Sequence, residues 1–486
     1  MFKDLTLAKA HSMLVKKEIT SVELMHASQE IIESTDANIQ AFVTKNYEEA
    51  LEQAKEVDVR IQKGENISRL AGIPCGIKDM FCTKGLKTTA SAKMLKNFTP
   101  PYDASVIASL RNKGGVFMGK LNLDAWAHGT STENSDFFNT HNPWDLKRTP
   151  GGSSGGSAAS VAASQVLWAT ATDTGGSIRQ PAAMCGVTGW KPTYGMVSRA
   201  GVIAMASSLD TIGAIAKSVE DISIIATEMA GRDEADATSI DTHGVDYFAQ
   251  LQGDIRGMKV GVPKEYFIEG MHPEVEKSVR EAITVLQSRG AQIVDISLPL
   301  TRYGIAVYYI ICPSEVSANL ARYDGIRYGH AASNAHDTIE MFAQARDEGF
   351  GAEAKRRIMM GTYALSSGYY DAYYRKAQKV RTLVIREFEE AFRQVDVIAT
   401  PTTPHTAFSL GEKCNDPLSL YLEDVFTVTA NIAGICGISL PCGFDSKNLP
   451  IGLQLLGPQR GEQKIFNVGH AYQQETDWHE KRPSVF

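Results

Sequence analysis

The chain has 486 residues, 43% of them hydrophobic and 22% charged, which is the composition of a folded globular protein and excludes a largely disordered one. The formal net charge of −7 gives no overall attraction to a polyanion, so composition excludes a DNA-binding protein, and any nucleic-acid contact has to be local or made by a partner. No apolar run reaches the roughly 18 residues of a membrane helix, no signal-peptide pattern occurs, and the 7 cysteines form no C-x-x-C pair, so we expect a cytoplasmic protein without membrane contact.

The first predicted element is a helix over residues 20–34, where Thr20 and Glu23 have the spacing of a capping box and apolar residues follow a helical repeat. From about residue 71 to 215 the chain becomes rich in Gly, Ser, Ala and Thr. Short apolar runs in this region, AGIPCGIKD and GGVFMGKLN, predict buried strands between tight turns.

The second half of the chain alternates between predicted strands and helices. Residues 257–298 contain two strand-like runs around a helical repeat that ends at Arg289 and Gly290, which predicts a β-α-β unit. Residues 369–394 carry apolar side chains at spacings of three and four, which predicts a long amphipathic helix. Its cationic residues are expected on the solvent side: Lys376, Lys379, Arg381 and Arg386. Two more buried strands are predicted in VDVIATPTTP and ISLPCGF, and without linkers or repeats we expect one α/β domain over residues 1–486.

The stretch RTPGGSSGGSAAS, residues 148–160, allows three interpretations. A flexible linker is disfavoured because an alanine-rich helical run follows. A phosphate-binding loop is disfavoured because the Lys-Ser/Thr ending is missing. The run also satisfies G-x-S-x-G, which would make Ser153 the nucleophile of a Ser-His-Asp hydrolase, although the preceding segment is polar instead of strand-like.

A second glycine-serine stretch, TDTGGSIRQPAAMCG at residues 172–186, suggests a different chemistry together with Lys78. A serine hydroxyl needs a base to become a nucleophile, and a lysine is a base only when it is neutral. Burial lowers the pKa of a lysine, and Lys78 lies in an apolar run, although a pair with Asp79 is the simpler alternative. The glycines before Ser177 leave backbone N–H groups free to bind an oxyanion.

These stretches, in this order and spacing, resemble the amidase signature family. The resemblance implies a mixed β-sheet core flanked by helices on both sides, with the signature core at about residues 71–215. It also implies a triad in which Lys78 accepts the proton of Ser153, Ser153 accepts that of Ser177, and Ser177 attacks an amide carbonyl. In the family the peptide bond matching Gly176–Ser177 is usually cis.

The resemblance further assigns residues that bind the substrate. It implies an oxyanion hole built from the backbone N–H groups of Thr174, Gly175, Gly176 and Ser177. Arg357 matches the family arginine proposed for a substrate carboxylate, and Asp424 matches the aspartate proposed for the amine. Tyr308 or Tyr309 is expected in the same pocket. The loop at His128 and Gly129 is also expected at the substrate, and His128 is a departure from the methionine that is usual in the family.

Further blocks, among them KRRIMM and SSGYYDAYYRKAQKVR, are similar to one subgroup, the A subunits of glutamyl-tRNA(Gln)/aspartyl-tRNA(Asn) amidotransferases. This implies a glutaminase in a heterotrimer with B and C subunits. The B subunit would use ATP and Mg to amidate Glu-tRNA(Gln), with Asp-tRNA(Asn) as an open further substrate. This chain has no Walker loop, so we expect no cofactor or metal in it. The alternative is a stand-alone amidase acting on small or aryl amides.

Overall fold

The computed structural model describes residues 2–242 and 244–484, and its strands belong to one mixed sheet of 11 strands. The strands are β1 (Phe42–Lys45), β2 (Pro74–Lys78), β3 (Val116–Leu121), β4 (Trp168–Asp173), β5 (Thr188–Lys191), β6 (Thr211–Ala216), β7 (Lys259–Pro263), β8 (Gln292–Ile296), β9 (Val397–Pro401), β10 (Cys436–Phe444) and β11 (Pro450–Gly457). Their order across the sheet is β1-β3-β2-β4-β6-β5-β10-β11-β9-β7-β8. Strand β2 is parallel to β3 and β4, and β7 is parallel to β8 and β9.

Helices surround this sheet along the whole chain. They are α1 (Leu7–Val15), α2 (Ser21–Ile39), α3 (Tyr47–Gln62), α4 (Ser105–Asn112), α5 (Gly155–Ala162), α6 (Arg179–Cys185), α7 (Val219–Met229), α8 (Pro273–Ser288), α9 (Gly304–Leu320), α10 (Thr338–Gly349), α11 (Ala352–Leu365), α12 (Lys376–Ala391), α13 (Pro417–Tyr421), α14 (Val428–Ala433) and α15 (Glu462–Glu475). Among the described residues, none of the helices combines the length and the apolar character needed to cross a membrane.

Separate apolar clusters cover the two faces of the sheet. Along β3, Phe117 belongs to one cluster, whereas its neighbours Val116 and Met118 belong to the other. Successive strand residues point to opposite faces, so each cluster marks one face. Ala158 of α5 packs into the second cluster and Val279 of α8 into the first. The predicted α/β class, with helices on both sides of a mixed sheet, is confirmed; the single-domain organisation stays a prediction.

Several predicted elements are present with the expected ends. Thr20 caps α2 through the predicted capping box with Glu23. Strands β7 and β8 pair in parallel around α8, which forms the predicted β-α-β unit and ends before Arg289. The other predicted strands are β2, β3, β9 and β10. Local spacing and capping were sufficient for these elements.

The predicted helix over residues 369–394 differs from the structure in two ways. It begins as a π-helical turn, Asp371–Arg375, before α12 starts. Arg381 does not point to the solvent, because its guanidinium donates to the Ser208 carbonyl at 2.9 Å and to the Ile432 carbonyl at 3.1 Å. Both partners are far from Arg381 in sequence, so helical spacing alone could not identify them.

Candidate active site

The candidate site lies where two parallel neighbouring strands end. Lys78 is the last residue of β2, and Asp173 is the last residue of β4. Because β2 and β4 are parallel, their carboxyl ends meet at one edge of the sheet. The two glycine-serine turns are placed at this edge, one leading into α5 and the other into α6.

The Lys78 side chain is fully buried, and its amine contacts three hydroxyl groups. Nζ lies 2.9 Å from Ser153 Oγ, 2.8 Å from Ser154 Oγ and 2.7 Å from Thr172 Oγ1. Burial lowers the pKa of Lys78 to about 7, although nearby carboxylates oppose this shift. A substantial fraction of the amine is therefore neutral at neutral pH.

The hydrogens on the neutral Lys78 amine and on its three hydroxyl partners determine which hydroxyl donates to it. Such an amine has two N–H groups and one lone pair, so two of its hydroxyl partners accept and one donates. The Ser154 hydroxyl donates to the Thr172 carbonyl at 3.2 Å, and the Thr172 hydroxyl donates to Met80 Sδ at 3.8 Å. Ser153 is left to donate its hydrogen to Lys78, an orientation assigned from the network. The arrangement suits proton transfer from Ser153 to the amine.

Three alternative interpretations of these residues are wrong. Lys78 does not pair with Asp79, because Asp79 Oδ1 lies 3.3 Å from Lys120 Nζ in a separate buried pair. Within residues 2–242 and 244–484, Ser153 Oγ contacts the lysine amine and no histidine, so a Ser-His-Asp arrangement is not formed around it. The stretch is also not a flexible linker, since residues 149–160 are buried.

The two glycine-serine turns lie against each other. The Ser154 amide donates to the Ser177 carbonyl at 3.2 Å. Gln180 fixes the first turn, because its Oε1 accepts from the Gly152 amide at 2.8 Å. Ser177 is 8% exposed, and among the described residues its hydroxyl forms no hydrogen bond to Ser153. The cis peptide bond is Gly152–Ser153 and does not lie before Ser177 as the resemblance implied; both are Gly-Ser bonds, which sequence alone does not distinguish.

Buried ion pairing holds the second turn at both ends. Arg179 Nε donates to Asp173 Oδ2 at 3.0 Å, and Asn431 Nδ2 donates to Asp173 Oδ1 at 2.9 Å. Burial alone would raise the pKa of Asp173, but the Arg179 charge outweighs it and lowers the pKa to about 2. Within the turn, the Thr174 hydroxyl donates to Asp210 Oδ1 at 2.8 Å. The turn is thus fixed by side chains before any ligand binds.

Neighbouring side chains leave no space for a Cβ at the two glycines of this turn. A Cβ at Gly175 would lie 2.7 Å from the ring of Tyr308, and one at Gly176 would collide with the hydroxyl of Thr427. Gly176 also has φ +150°, a conformation that favours glycine. Among the described residues, the N–H groups of Gly175, Gly176 and Ser177 donate to no other group, so they are free to bind an oxyanion.

The predicted carboxylate-binding and amine-binding residues, Arg357 and Asp424, are both buried. Asp424 Oδ1 lies 2.9 Å from the position of a Cβ on Gly176. Arg357 is 2% exposed and donates from Nε to Glu353 Oε1 at 2.8 Å. Its guanidinium also lies 5.7 Å from the ring centre of Tyr421. Neither residue forms a surface ion pair, because Arg357 is 2% and Asp424 4% exposed.

The other predicted substrate residues are two tyrosines and two residues of the histidine loop. Tyr308 lies against Gly175 of the second glycine-serine turn. Tyr309 packs against Tyr308, with the two ring centres 5.0 Å apart. His128 is fully buried next to Gly129. Gly129 has no space for a Cβ, which would collide with Asp124. Tyr308, His128 and Gly129 are thus buried, and Tyr309 is half-buried.

Several polar atoms of the pocket have no hydrogen-bond partner among the described residues. They are Asp424 Oδ1, Tyr309 Oη and both ring nitrogens of His128. Burial, with the Asp173 charge adding to it, raises the pKa of Asp424 well above its usual range. Burial and the Arg357 charge lower the pKa of His128 well below its usual range. Unpaired buried polar groups are costly, so these atoms are candidates for hydrogen bonds to a polar ligand.

Sequence analysis missed residues that support the triad. Ser154 and Thr172 hold the amine of Lys78, and Arg179 holds the second turn. A signal for Thr172 was available, since a hydroxyl in an otherwise buried strand directly before TGGS has to find a polar partner. The partner of Arg179 at Asn431 had no local signal, because it lies 252 residues away.

The fold and the buried lysine–serine contact define an amide hydrolase in which serine is paired with lysine. Residues 23–466 match the Amidase family model, and the chain belongs to this family. The A subunit of the glutamyl-tRNA(Gln) amidotransferase of Carboxydothermus hydrogenoformans is 54% identical over 469 residues, 96% of each chain. The A subunit from a Geobacter species is 53% identical over 479 residues, 99% of each chain. The crystal structure of the A subunit from Thermotoga maritima matches with a TM-score of 0.81 and 39% identity, covering 100% of this chain and 99% of that one.

Proposed function

We propose that this chain is the glutaminase subunit of a glutamyl-tRNA(Gln) amidotransferase. Relatives that are A subunits of that enzyme match it over nearly the full length. The observation that carries the proposal is the buried Lys78 amine, hydrogen-bonded to Ser153 beside the glycine turn that presents Ser177. A neutral amine and a serine hydroxyl supply the base path that amide hydrolysis requires.

In the proposed reaction, protons move away from the nucleophile in two steps. Lys78 takes the proton of Ser153, Ser153 takes that of Ser177, and Ser177 Oγ attacks the side-chain amide carbon of glutamine. Backbone N–H groups bind the oxyanion; they belong to Thr174, Gly175, Gly176 and Ser177. The proton returns to the leaving nitrogen and ammonia departs. Water then hydrolyses the glutamyl ester on Ser177, which releases glutamate and restores the triad.

The pocket suits a free α-amino acid. A glutamine has an α-ammonium for Asp424 and an α-carboxylate for Arg357, and both protein groups are buried near the nucleophile turn. Tyr308 and Tyr309 form the wall between the turn and Arg357. In the proposed complex the two rings exclude water from the amide, and the loop with His128 and Gly129 contacts the substrate.

The proposal places the chain in a cytoplasmic heterotrimer with B and C subunits. The acidic net charge of −7 and the absence of a Walker loop in the sequence support a division of labour in which a partner handles tRNA, ATP and Mg. This chain would supply only ammonia, which the B subunit uses to amidate activated Glu-tRNA(Gln). The chain itself would hold no cofactor.

The test is the transamidation reaction of the purified complex. Co-expressed B and C subunits should co-purify with the chain, and the complex should convert Glu-tRNA(Gln) to Gln-tRNA(Gln) with glutamine and ATP. Ser177→Ala should lower glutamine-dependent conversion by at least about 10⁴-fold, because the nucleophile is lost. Ammonium salts supplied in place of glutamine should restore conversion.

The ammonium control separates loss of the nucleophile from loss of the folded complex. Full glutaminase activity of Ser177→Ala would reject Ser177 as nucleophile. Complete activity of the isolated chain on aryl amides, with no conversion of tRNA by the complex, would favour a stand-alone amidase.

A further inference from the structure

His128 is an unusual buried histidine. It has no exposed surface, and neither Nδ1 nor Nε2 has a hydrogen-bond partner among the described residues. A buried imidazole in a protein interior normally uses at least one nitrogen, because leaving both unpaired loses the hydrogen bonds made to water. Both nitrogens of His128 therefore have hydrogen-bonding capacity that no described part of the fold uses.

The loop that carries His128 is built in an uncommon conformation. Trp126 and Ala127 both have φ of 62°, in the left-handed region that non-glycine residues rarely adopt. The loop is fixed by Asp124, which accepts from the Thr132 amide at 2.9 Å and the Asn134 amide at 3.1 Å. Strained backbone that is held this firmly is typical of functional sites. The loop therefore holds His128 in a defined position.

The loop that carries His128 contacts both the glycine-serine turns and the segment around Asp424. The Thr130 carbonyl accepts from Gln180 Nε2 at 3.0 Å, and Gln180 also holds the turn before Ser153. The Thr130 hydroxyl donates to the Leu420 carbonyl at 3.4 Å, in the segment that leads to Asp424. The loop that carries His128 is thus attached both to the turn before Ser153 and to the segment that leads to Asp424.

The chemistry of the neighbours selects one partner for the imidazole. Burial, with the charge of Arg357 adding to it, lowers the pKa of His128 well below its usual range and keeps the ring neutral. A neutral imidazole has one N–H donor and one acceptor nitrogen. The group drawn to this end of the pocket is the carboxylate that binds Arg357, and a carboxylate accepts hydrogen bonds but cannot donate them.

We propose that the N–H of His128 donates a hydrogen bond to the α-carboxylate of bound glutamine, beside the guanidinium of Arg357, and so selects substrates with a free α-carboxylate. The inference rests on the glutaminase function proposed above. His128 becomes a specificity-determining residue, and both of its roles, donor to the ligand and neutral neighbour of the arginine, follow from its burial.

Two variants separate the hydrogen bond from the volume of the side chain. His128→Met removes both nitrogens and leaves a flexible apolar chain that adapts to irregular space. His128→Gln retains an N–H donor at about the reach of the ring. In the full complex, His128→Met should raise KM for glutamine by about 10- to 100-fold, the effect of one hydrogen bond to a charged group, with kcat within about 3-fold. His128→Gln should stay within about 5-fold of the wild-type KM.

The decisive comparison uses glutamine and its α-amide, in which the carboxylate is replaced by a neutral carboxamide. If His128 binds the α-carboxylate, the ratio of kcat/KM for glutamine to kcat/KM for the α-amide should fall in His128→Met. The fall should equal the factor by which KM for glutamine rises. Equal losses for both substrates, or equal behaviour of the Met and Gln variants, would show a packing role and overturn the proposal.

Calorimetric titration gives a readout that does not depend on turnover. Glutamine should bind Ser177→Ala about 10- to 100-fold more tightly than Ser177→Ala/His128→Met. Equal affinities would mean that buried water completes the ring nitrogens, and the proposal would be wrong. A wild-type complex without any glutaminase activity would instead reject the proposed function, so the two failures are distinguishable.

Discussion

The amine site at Lys78 and the pocket around Arg357 are both buried, yet their polar groups are completed in different ways. Around Lys78, three hydroxyl oxygens lie within 2.9 Å of one nitrogen, and two of these hydroxyls have acceptors of their own. In the pocket, Asp424 Oδ1 and the His128 ring nitrogens have no protein partner among the described residues. The fold completes the first region, whereas it leaves polar groups of the second region able to bind a ligand.

This difference matches the tasks of the two regions. A base path works best when its groups are already oriented before substrate arrives, because no reorganisation is then needed during the reaction. A binding pocket gains affinity when ligand atoms pair groups that were left unpaired, since each such group costs about 1–3 kcal/mol when buried alone. Substitutions near Lys78 are therefore expected to change kcat, and substitutions near Asp424 are expected to change KM.

The largest effect is expected from Lys78→Met, which removes the base while keeping an unbranched chain of similar size. Loss of a general base costs about 10²- to 10⁴-fold in rate, so kcat for glutamine should fall by that factor. In the proposed mechanism the neutral amine of Lys78 is the active form, and its pKa is about 7, so wild-type activity should rise as pH increases through 7. Initial rates of glutamate release, measured between about pH 5.5 and 8.5, should show this rise as the acidic limb of the pH–rate profile, with the slope expected for loss of about one proton.

Lys217 provides a matched control for the pH profile. It is also a buried lysine with a pKa lowered to about 7, chiefly by burial, but it binds the carbonyl groups of Lys3 and Leu5. Lys217→Met should leave the acidic limb in place. Disappearance of the limb in Lys217→Met, or its persistence in Lys78→Met, would assign the titration to another group and contradict the neutral-lysine mechanism.

A smaller effect, in the other region, is expected from Asp424→Asn. The variant keeps the shape of the side chain but cannot become an anion, so it should raise KM for glutamine by about 10- to 100-fold and change kcat little. Burial raises the pKa of Asp424 well above its usual range, so the carboxyl holds a proton more readily than an exposed one. The substrate ammonium favours the ionised carboxylate, so Asp424 should lose this proton when glutamine binds.

Calorimetry in buffers of different ionisation enthalpy would count that proton. In the Ser177→Ala background, the protein with Asp424 should release more protons on binding glutamine than the protein with Asp424→Asn. Equal proton release by the two proteins, or a fall in kcat with unchanged KM, would show that Asp424 does not bind the α-amine.

The two regions also differ in how much the sequence predicts. Lys78, Ser153 and the glycines before Ser177 lie in short motifs, and their chemistry constrains their type and local conformation. The supports come from distant parts of the chain: Asn431 bonds to Asp173 across 258 positions. Arg381 was placed wrongly for the same reason, since its carbonyl partners exist only in the folded protein. Periodicity predicts elements, but it contains no information on which elements meet.

The smallest effect is expected from Thr172→Val, which removes one of the three oxygens around the Lys78 amine and keeps the branched shape of the side chain. The Thr172 oxygen stabilises the charged amine of Lys78 more than the neutral amine, because the charged form has one more N–H group to pair. Without this oxygen, the pKa of Lys78 should fall further, and the acidic limb of the pH–rate profile should move to lower pH. A weaker and less firmly held base should also lower the plateau rate by about 3- to 10-fold, whereas Thr172→Ser, which restores the hydroxyl, should recover most of it. A limb that moves to higher pH, or a serine variant as slow as the valine variant, would show that Thr172 acts on the packing of the strand and does not orient the amine.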